Sequence, residues 1–152
     1  MSDVHATIDI AAPPETVWRI AMDAQRLHEW VSIHRKLHAA DPWPPREGAR
    51  MEQTLALRGA PFKVKWTLAR CEDGRLAEWH GRGPAHSRAE TEYRLTPTDG
   101  GAGTRFDYRN SFHAPLGPLG AVASRVVVGD LPRQEAQTSL AHLKALCEAV
   151  RN

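Results

Sequence analysis

Cysteine is scarce in this chain, the net charge is small, and long apolar runs are absent. Cys71 and Cys147 are the two cysteines and form no CxxC pair, which predicts reduced thiols rather than a disulfide framework. A formal net charge of +2 without a basic run argues against a nucleic-acid binder. The apolar stretches are too short to cross a bilayer, and the N-terminus has no signal-peptide pattern. We therefore expect a cytoplasmic protein with neither a membrane span nor a nucleic-acid partner.

The composition is that of a folded globular protein. The 152 residues include 41% hydrophobic and 25% charged residues, which is enough to bury a core and too apolar for a disordered chain. No internal repeat and no linker interrupts the sequence. These features predict a single domain over residues 1–152.

The N-terminal part of the sequence predicts a strand followed by two short helices. Apolar residues alternate along residues 4–10, which is typical of a half-buried strand. Pro13 and Pro14 end this strand and suit the first turn of a helix. A second helical stretch follows over residues 24–31. The first structural unit is therefore strand, helix, helix.

The middle of the sequence predicts an antiparallel meander with one polar face. Phe62, Val64 and Trp66 share one face of a strand, whereas Lys63 and Lys65 lie on the other. The same alternation recurs in five runs, over residues 49–58, 62–70, 75–82, 85–95 and 104–113. Glycine-containing turns, such as Asp73-Gly74, separate these runs and favour hairpins.

Two segments flank this meander. Residues 39–48 contain three prolines and a glycine, which predicts a loop, and the wider segment 28–48 is a candidate lid that carries Trp43. The last third shows helical spacing, and Pro132 predicts a kink or break within it. The sheet must bury its apolar face against this final helix. A curved sheet around one helix leaves a concave space, which is a natural ligand pocket.

Several stretches of the sequence resemble a known family. VHATIDIAAPPETVW, LHEW, GTRFDYRNSF, PLGPLGAVASRVVV and SLAHLKAL are similar, in this order, to the START-like or SRPBCC superfamily, and most of all to its polyketide cyclase/dehydrase branch. The resemblance covers essentially the whole chain. It implies an α+β helix-grip fold, in which a curved antiparallel sheet wraps around a long C-terminal helix and two short helices follow the first strand. The superfamily includes aromatase/cyclases, lipid and hormone carriers, co-chaperone domains and ring-hydroxylase subunits, so the fold alone does not define a reaction.

Polar side chains lie among the inward-facing aromatics of the predicted sheet. Tyr108 and Asn110 share the face of Phe106, and Gln53, Thr91 and Tyr93 join them from other strands. These groups either orient a polar edge of a ligand, and polarise a carbonyl, or satisfy each other and ordered water. Trp66, Trp79, Tyr93, Phe106 and Tyr108 would supply aromatic wall, and Val122 and Val126 of the last helix would complete the binding surface. Tyr108, Asn110 and His80 are the candidates for catalysis.

Charged and proton-exchanging residues give weaker signals. His80, His113 and Arg82 are candidates for acid–base or anion-pairing roles, and either Trp79 or His80 faces inward, but not both. Arg125 would lie on the first part of the last helix, near the mouth or on a solvated face. The pair His34 and His38 lacks a metal-site motif, so we expect no metal and no cofactor.

The sequence leaves three functions open. The first is an enzyme of the cyclase/dehydratase type that acts on a poly-ketone. The second is a non-catalytic carrier or sensor of a lipid, quinone or isoprenoid. The third, an interaction module that uses the charged outer face, has the least support because such faces are usually just solvated. In the first two functions, the binding partner is a small hydrophobic or aromatic ligand. The sequence leaves the oligomeric state open, and a homodimer is one possibility.

Overall fold

Seven antiparallel strands form one sheet in the computed structural model, which describes residues 2–113 and 131–150. The strands are β1 (Ser2–Ile10), β2 (His34–Ala40), β3 (Arg50–Leu57), β4 (Ala60–Glu72), β5 (Leu76–Arg82), β6 (Arg88–Thr98) and β7 (Gly103–His113). Their spatial order is β1-β7-β6-β5-β4-β3-β2. Strands β2 to β7 therefore follow one another as a meander, and β1 closes the sheet beside β7.

The alternation seen in the sequence becomes the two faces of this sheet. Along β4, Val64, Trp66 and Leu68 are buried, whereas Lys63 and Lys65 are exposed. The predicted strands and the five-run meander are confirmed, with ends that differ by at most three residues. One face packs on the helices, and the other carries charged side chains into solvent.

Strand β2 is the element that the sequence analysis missed. The sequence predicts that residues 34–40 belong to a lid, but in the structure they form a strand that pairs with β3. The pairing shifts register twice, between His34 and Lys36 and between Leu37 and Ala39. Each irregularity inserts an extra residue, so the two-residue alternation is lost and burial recurs every third residue instead. The segment therefore lacks the pattern by which strands are recognised.

In the parts of the chain that the structure describes, three α-helices cover the apolar face of the sheet. They are α1 (Pro14–Ala21), α2 (Leu27–Trp30) and α3 (Leu131–Ala149). Pro14 occupies the first helical position, where its missing N–H group costs nothing, and the Asp23 side chain accepts a hydrogen bond from Gln25 N just before α2. Within the described ranges, no helix is both long and apolar enough to cross a bilayer.

The core lies between the three helices and the sheet, and it includes residues of β1, β4, β5, β6 and β7. Leu140, Leu143 and Cys147 of α3 are almost completely buried, as are Ile10 and Phe106 on the strands. This is the helix-grip arrangement that the sequence predicts. Pro132 lies near the start of α3, and the predicted residues Val122, Arg125 and Val126 lie outside the described residues.

Candidate functional site

A cavity of about 380 Å³ opens between the sheet and the three helices. This volume is at the small end of the range for ligand pockets. The cavity lies next to the core but is bounded mainly by β3 to β7, the α1–α2 segment and the first turns of α3. Of the predicted binding residues, Gln53, Trp66, Trp79, Thr91, Tyr93, Tyr108 and Asn110 line it.

One wall of this cavity is a block of four polar residues on strands β6 and β7. Thr91 lies directly opposite Asn110, and Tyr93 lies directly opposite Tyr108. Residues two apart on a strand face the same side, so all four side chains face the cavity. Thr91 Oγ1 donates to Asn110 Oδ1 at 2.8 Å. Among the described residues, this leaves the Asn110 Nδ2 amide group and both tyrosine hydroxyls without a hydrogen-bond partner.

Burial keeps both phenols of this wall protonated. Loss of solvent raises the pKa of Tyr108 from 10.0 to about 12. Burial also raises the pKa of Tyr93, and the neighbouring Tyr108 adds to that effect. At neutral pH both groups are therefore neutral hydroxyls that donate hydrogen bonds, and neither is a phenolate base.

The opposite wall, on strands β3 and β4, is held by a closed hydrogen-bond chain. Trp66 Nε1 donates to Gln53 Oε1 at 2.7 Å, and Gln53 Nε2 donates to His34 Nδ1 at 2.8 Å. An indole N–H can only donate, which fixes the orientation of the Gln53 amide and makes His34 Nδ1 an acceptor. Burial, followed by the nearby charges of His28 and Arg35, lowers the pKa of His34. His34 is therefore most stable in its neutral form.

An aromatic cluster joins helix α2 to the tyrosine wall. The ring centroids of Trp30 and Tyr93 are 5.9 Å apart in an edge-on arrangement, and those of Tyr93 and Phe106 are 5.3 Å apart. Trp30 lines the cavity, whereas Phe106 is fully buried behind Tyr93 and does not line it. Phe106 thus supports the wall from behind, which corrects its expected place on the ligand surface.

The placement of His80 corrects another candidate. Trp79 lines the cavity, so its neighbour His80 faces the outer side of the sheet, where His80 Nε2 lies 3.1 Å from Glu78 Oε2. His80 therefore cannot reach a molecule inside the cavity. Arg82 also lies on the exposed face, and neither it nor His113 lines the cavity.

The loop between β2 and β3 closes one side of the cavity and is fastened to the sheet. Asp41 and Arg50 exchange two hydrogen bonds at its base, Asp41 N to Arg50 O and Arg50 N to Asp41 Oδ2. Gly48 N donates to Leu68 O on β4. Trp43, at the exposed part of this loop, also lines the cavity and is 51% exposed. The candidate lid is thus a short anchored loop that follows a strand.

Helix α3 contributes polar groups that the sequence analysis did not select. Ser32 N donates to Ser139 Oγ at 2.9 Å, and Ser32 Oγ donates to the Glu135 carboxylate. Glu135 and Ser139 both line the cavity. These contacts tie the end of α2 to α3, and no motif in the sequence indicates them. Trp30, also missed as a wall residue, follows the helical spacing that predicted α2.

The two histidines weighed as a metal pair have separate partners. His34 contacts Gln53, and His38 Nε2 lies 2.7 Å from Thr54 Oγ1. Across residues 2–113 and 131–150, no group of three or more histidine, cysteine, aspartate or glutamate side chains is placed to hold a metal ion.

The sheet, the long C-terminal helix and the cavity between them define a ligand-binding protein of the helix-grip class. The chain belongs to the family described as "Polyketide cyclase / dehydrase and lipid transport", which matches residues 1–148. The resemblance inferred from the sequence motifs is thereby confirmed.

Individual relatives and solved structures are similar to this chain at low sequence identity. "Toxin Rv0910" of Mycobacterium tuberculosis is 27% identical over 131 residues, which is 86% of this chain and 91% of the relative. The Zhui aromatase/cyclase from a Streptomyces species superposes with a TM-score of 0.71 at 14% identity, covering 97% of this chain and 93% of that protein. A conserved protein from Geobacillus kaustophilus superposes with a TM-score of 0.73 at 16% identity, covering 96% and 95%.

Proposed function

We propose that the cavity binds a small, largely apolar molecule that carries a carbonyl oxygen, and that this oxygen faces the polar wall of β6 and β7. The open donors of that wall carry the proposal. The hydroxyls of Tyr93 and Tyr108 are protonated at neutral pH, and the Asn110 amide retains N–H groups that no described residue accepts. A set of donors without acceptors is complementary to an oxygen acceptor.

The rest of the cavity favours the apolar part of such a molecule. Trp30, Trp66 and Trp79 present indole surface, and Leu55 and Val64 present aliphatic surface. Aromatic side chains gain about 0.5–1.5 kcal/mol from a well-placed aromatic partner beyond the area they bury. An aromatic or quinone-like ketone therefore matches both the polar wall and the apolar remainder.

Reversible binding is the use of this site that the geometry supports best, as in a carrier or sensor. Because burial keeps both phenols protonated at neutral pH, they donate hydrogen bonds and supply no phenolate base, so they hold a carbonyl without removing a proton from its neighbour. A second function, cyclisation or dehydration of a poly-ketone, draws support from the same donors because they would also polarise a carbonyl. One structural neighbour, Zhui, is an aromatase/cyclase by name, which is consistent with that second function.

A matched pair of ligands tests the binding proposal. We expect 2-acetylnaphthalene to bind, and we compare it with 2-isopropenylnaphthalene, in which a methylene group replaces the carbonyl oxygen. In the Tyr93→Phe/Tyr108→Phe variant, affinity for the ketone should fall about tenfold, since each hydrogen bond contributes about 0.5–1.5 kcal/mol. Affinity for the hydrocarbon should stay within about twofold. Titration calorimetry measures both.

The control removes a hydroxyl from the other side of the sheet. Thr67 is exposed on β4, and Thr67→Val should leave both affinities unchanged. Equal losses for the two ligands in the tyrosine variant would show a general packing defect, and unchanged ketone binding would contradict the role of the phenols. To separate the two functions, the bound ketone or poly-ketone is recovered and analysed by mass spectrometry. An unaltered ligand supports a carrier, and a loss of water supports an enzyme.

A further inference from the structure

The indole of Trp66 lies across three strands of the sheet. Its Nε1 atom reaches Gln53 on the neighbouring strand β3. On the other side, Trp66 is paired in register with Gly81 of β5, and its six-membered ring rests against that glycine. Adjacent strands are about 4.8 Å apart, so an indole that contacts both neighbours must lie along the sheet instead of standing on it.

Gly81 makes this flat position possible because it has no side chain. A Cβ atom at position 81 would lie 2.6 Å from Trp66 Cε3 and Cζ3 and 2.8 Å from Val64 Cγ1. All three distances are far shorter than a carbon–carbon contact. Gly81 itself is buried on the cavity side of β5. With any larger residue at this position, the indole would have to move away from the sheet, and the cavity lies on that side.

We propose that Gly81 determines how wide a ligand the cavity accepts, by leaving room for the Trp66 indole to lie flat against the sheet. The inference rests on the proposed function, since it concerns the same cavity. Gln53 is the second positioning residue, because its amide oxygen holds the indole N–H in that orientation. Ligand width is thus set by a residue that need not touch the ligand.

A series of aryl methyl ketones of increasing ring width tests this role. The probes are acetophenone, 2-acetylnaphthalene and 2-acetylanthracene, and dissociation constants are measured for the wild type and for Gly81→Ala. We expect the affinity of the variant for the widest probe to fall by at least about tenfold, because a misplaced large side chain overfills the cavity. Its affinity for acetophenone should change by less than about threefold. An equal change for all three probes, or no change, would overturn the proposal.

A glycine outside the cavity provides the matched control. Gly103 is buried at the start of β7, and a Cβ atom there would lie 2.5 Å from Thr98 Oγ1. Gly103→Ala should therefore lower thermal stability through a comparable collision. It should change all three affinities by the same factor, because Gly103 does not line the cavity. A width-dependent loss in this control would show that overall stability, and not the Trp66 indole, controls the result.

Two further variants keep the test decisive if Gly81→Ala folds poorly. Trp66→Phe removes part of the ring that Gly81 accommodates and should improve binding of 2-acetylanthracene relative to acetophenone. The double variant Gly81→Ala/Trp66→Phe should recover binding of the wide probe. If Trp66→Phe leaves the ratio of these affinities unchanged, the indole does not limit ligand width and the proposal is wrong.

A spectroscopic measurement separates this inference from the proposed function. The indole N–H cross-peak of Trp66, assigned by its loss in Trp66→Phe, reports the hydrogen bond to Gln53 without any ligand. Gly81→Ala should shift this peak, and Gly103→Ala should not. If Gly81→Ala shifts the peak but the wild type binds none of the probes, the proposed function is contradicted, whereas the displacement of Trp66 by a side chain at position 81 is supported. An unmoved peak overturns the role of Gly81 even if the probes bind.

Discussion

The two walls of the cavity use polar side chains in different ways. On the β3–β4 wall, the Gln53 amide is engaged on both sides, by Trp66 and by His34. On the β6–β7 wall, Tyr93 and Tyr108 have hydroxyls with no partner in the described part of the chain. Gln53 is buried and bonded inside the protein, whereas the half-buried tyrosines keep hydroxyls that are free of any described partner and that, under the proposed function, meet the ligand. Polarity in a cavity indicates a binding site only after its internal partners have been assigned.

The largest effect on stability should follow when the hydrogen-bond chain of the β3–β4 wall is broken. Gln53→Leu leaves the Trp66 indole N–H and the His34 ring without their partner. Each unsatisfied buried group costs about 1–3 kcal/mol, so we expect the free energy of unfolding to fall by about 2 kcal/mol or more. Urea denaturation measures this change. Gln25→Leu, the same substitution at an exposed position, should stay within about 0.5 kcal/mol of the wild type. Similar losses in both variants would contradict the comparison.

The burial of the two tyrosines in the β6–β7 wall should be detectable in an alkaline titration. The chain has only two tyrosines, Tyr93 and Tyr108, so the near-ultraviolet absorbance of phenolate reports this wall alone. Burial raises both pKa values, that of Tyr108 from 10.0 to about 12. We expect no ionisation near pH 10 while circular dichroism shows folded protein. Phenolate absorbance that rises near pH 10 without unfolding would mean that the wall is open to solvent.

A smaller effect should be a pH dependence of stability that arises from His34, which is bonded to the β3–β4 wall. Burial lowers the pKa of His34 in the folded state below its ordinary value of 6.5. The unfolded chain therefore binds the proton first, so this site's stabilisation is present above pH 6.5 and is lost as the pH falls through the lowered folded pKa. Thermal denaturation between pH 8 and pH 5 should show the wild type losing stability relative to His34→Asn, which retains an acceptor and does not titrate. Parallel curves for the two proteins would exclude His34 as the group responsible.

The smallest effect on stability should come from a substitution in the β6–β7 wall. Tyr108→Phe removes a hydroxyl that has no hydrogen-bond partner among the described residues, so the free energy of unfolding should change by less than about 0.5 kcal/mol. The same urea experiment that detects Gln53→Leu measures it. A loss as large as that of Gln53→Leu would show that the hydroxyl is engaged inside the protein and would remove the contrast between the walls.

Strand alternation in the sequence predicted most of this cavity. The run from Ser87 to Leu95 placed Thr91 and Tyr93 on one face, and the run to His113 placed Tyr108 and Asn110 on the matching face, because a two-residue period is a local property of the backbone. Strand β2 lacked that signal, since its register shifts break the period. Its position at the edge of the sheet depends on pairing with β3, which no local pattern encodes.

The hydrogen bonds of the site depended on information that the sequence does not contain. Gln53 was selected as a ligand contact, yet its partners come from β2 and β4, and one of them lies in the strand that was missed. The position of Gly81 against Trp66 likewise requires the exact register of β4 and β5. The sequence does not decide whether Trp79 or His80 faces the cavity, because the apolar residues of this short strand do not alternate clearly.

The polar wall belongs to a single hairpin, and this has a consequence for inheritance. Thr91 pairs with Asn110 and Tyr93 pairs with Tyr108 inside one continuous stretch of the sequence, Arg88–His113. Under the proposed function, substitutions of these four residues would change the chemical group that the cavity recognises, while the hydrogen bond between Trp66 and Gln53 on other strands would stay in place. Ligand preference could therefore change in evolution without loss of that hydrogen bond. Because the four residues lie on one hairpin, a single recombination event could also transfer the whole polar wall between related proteins.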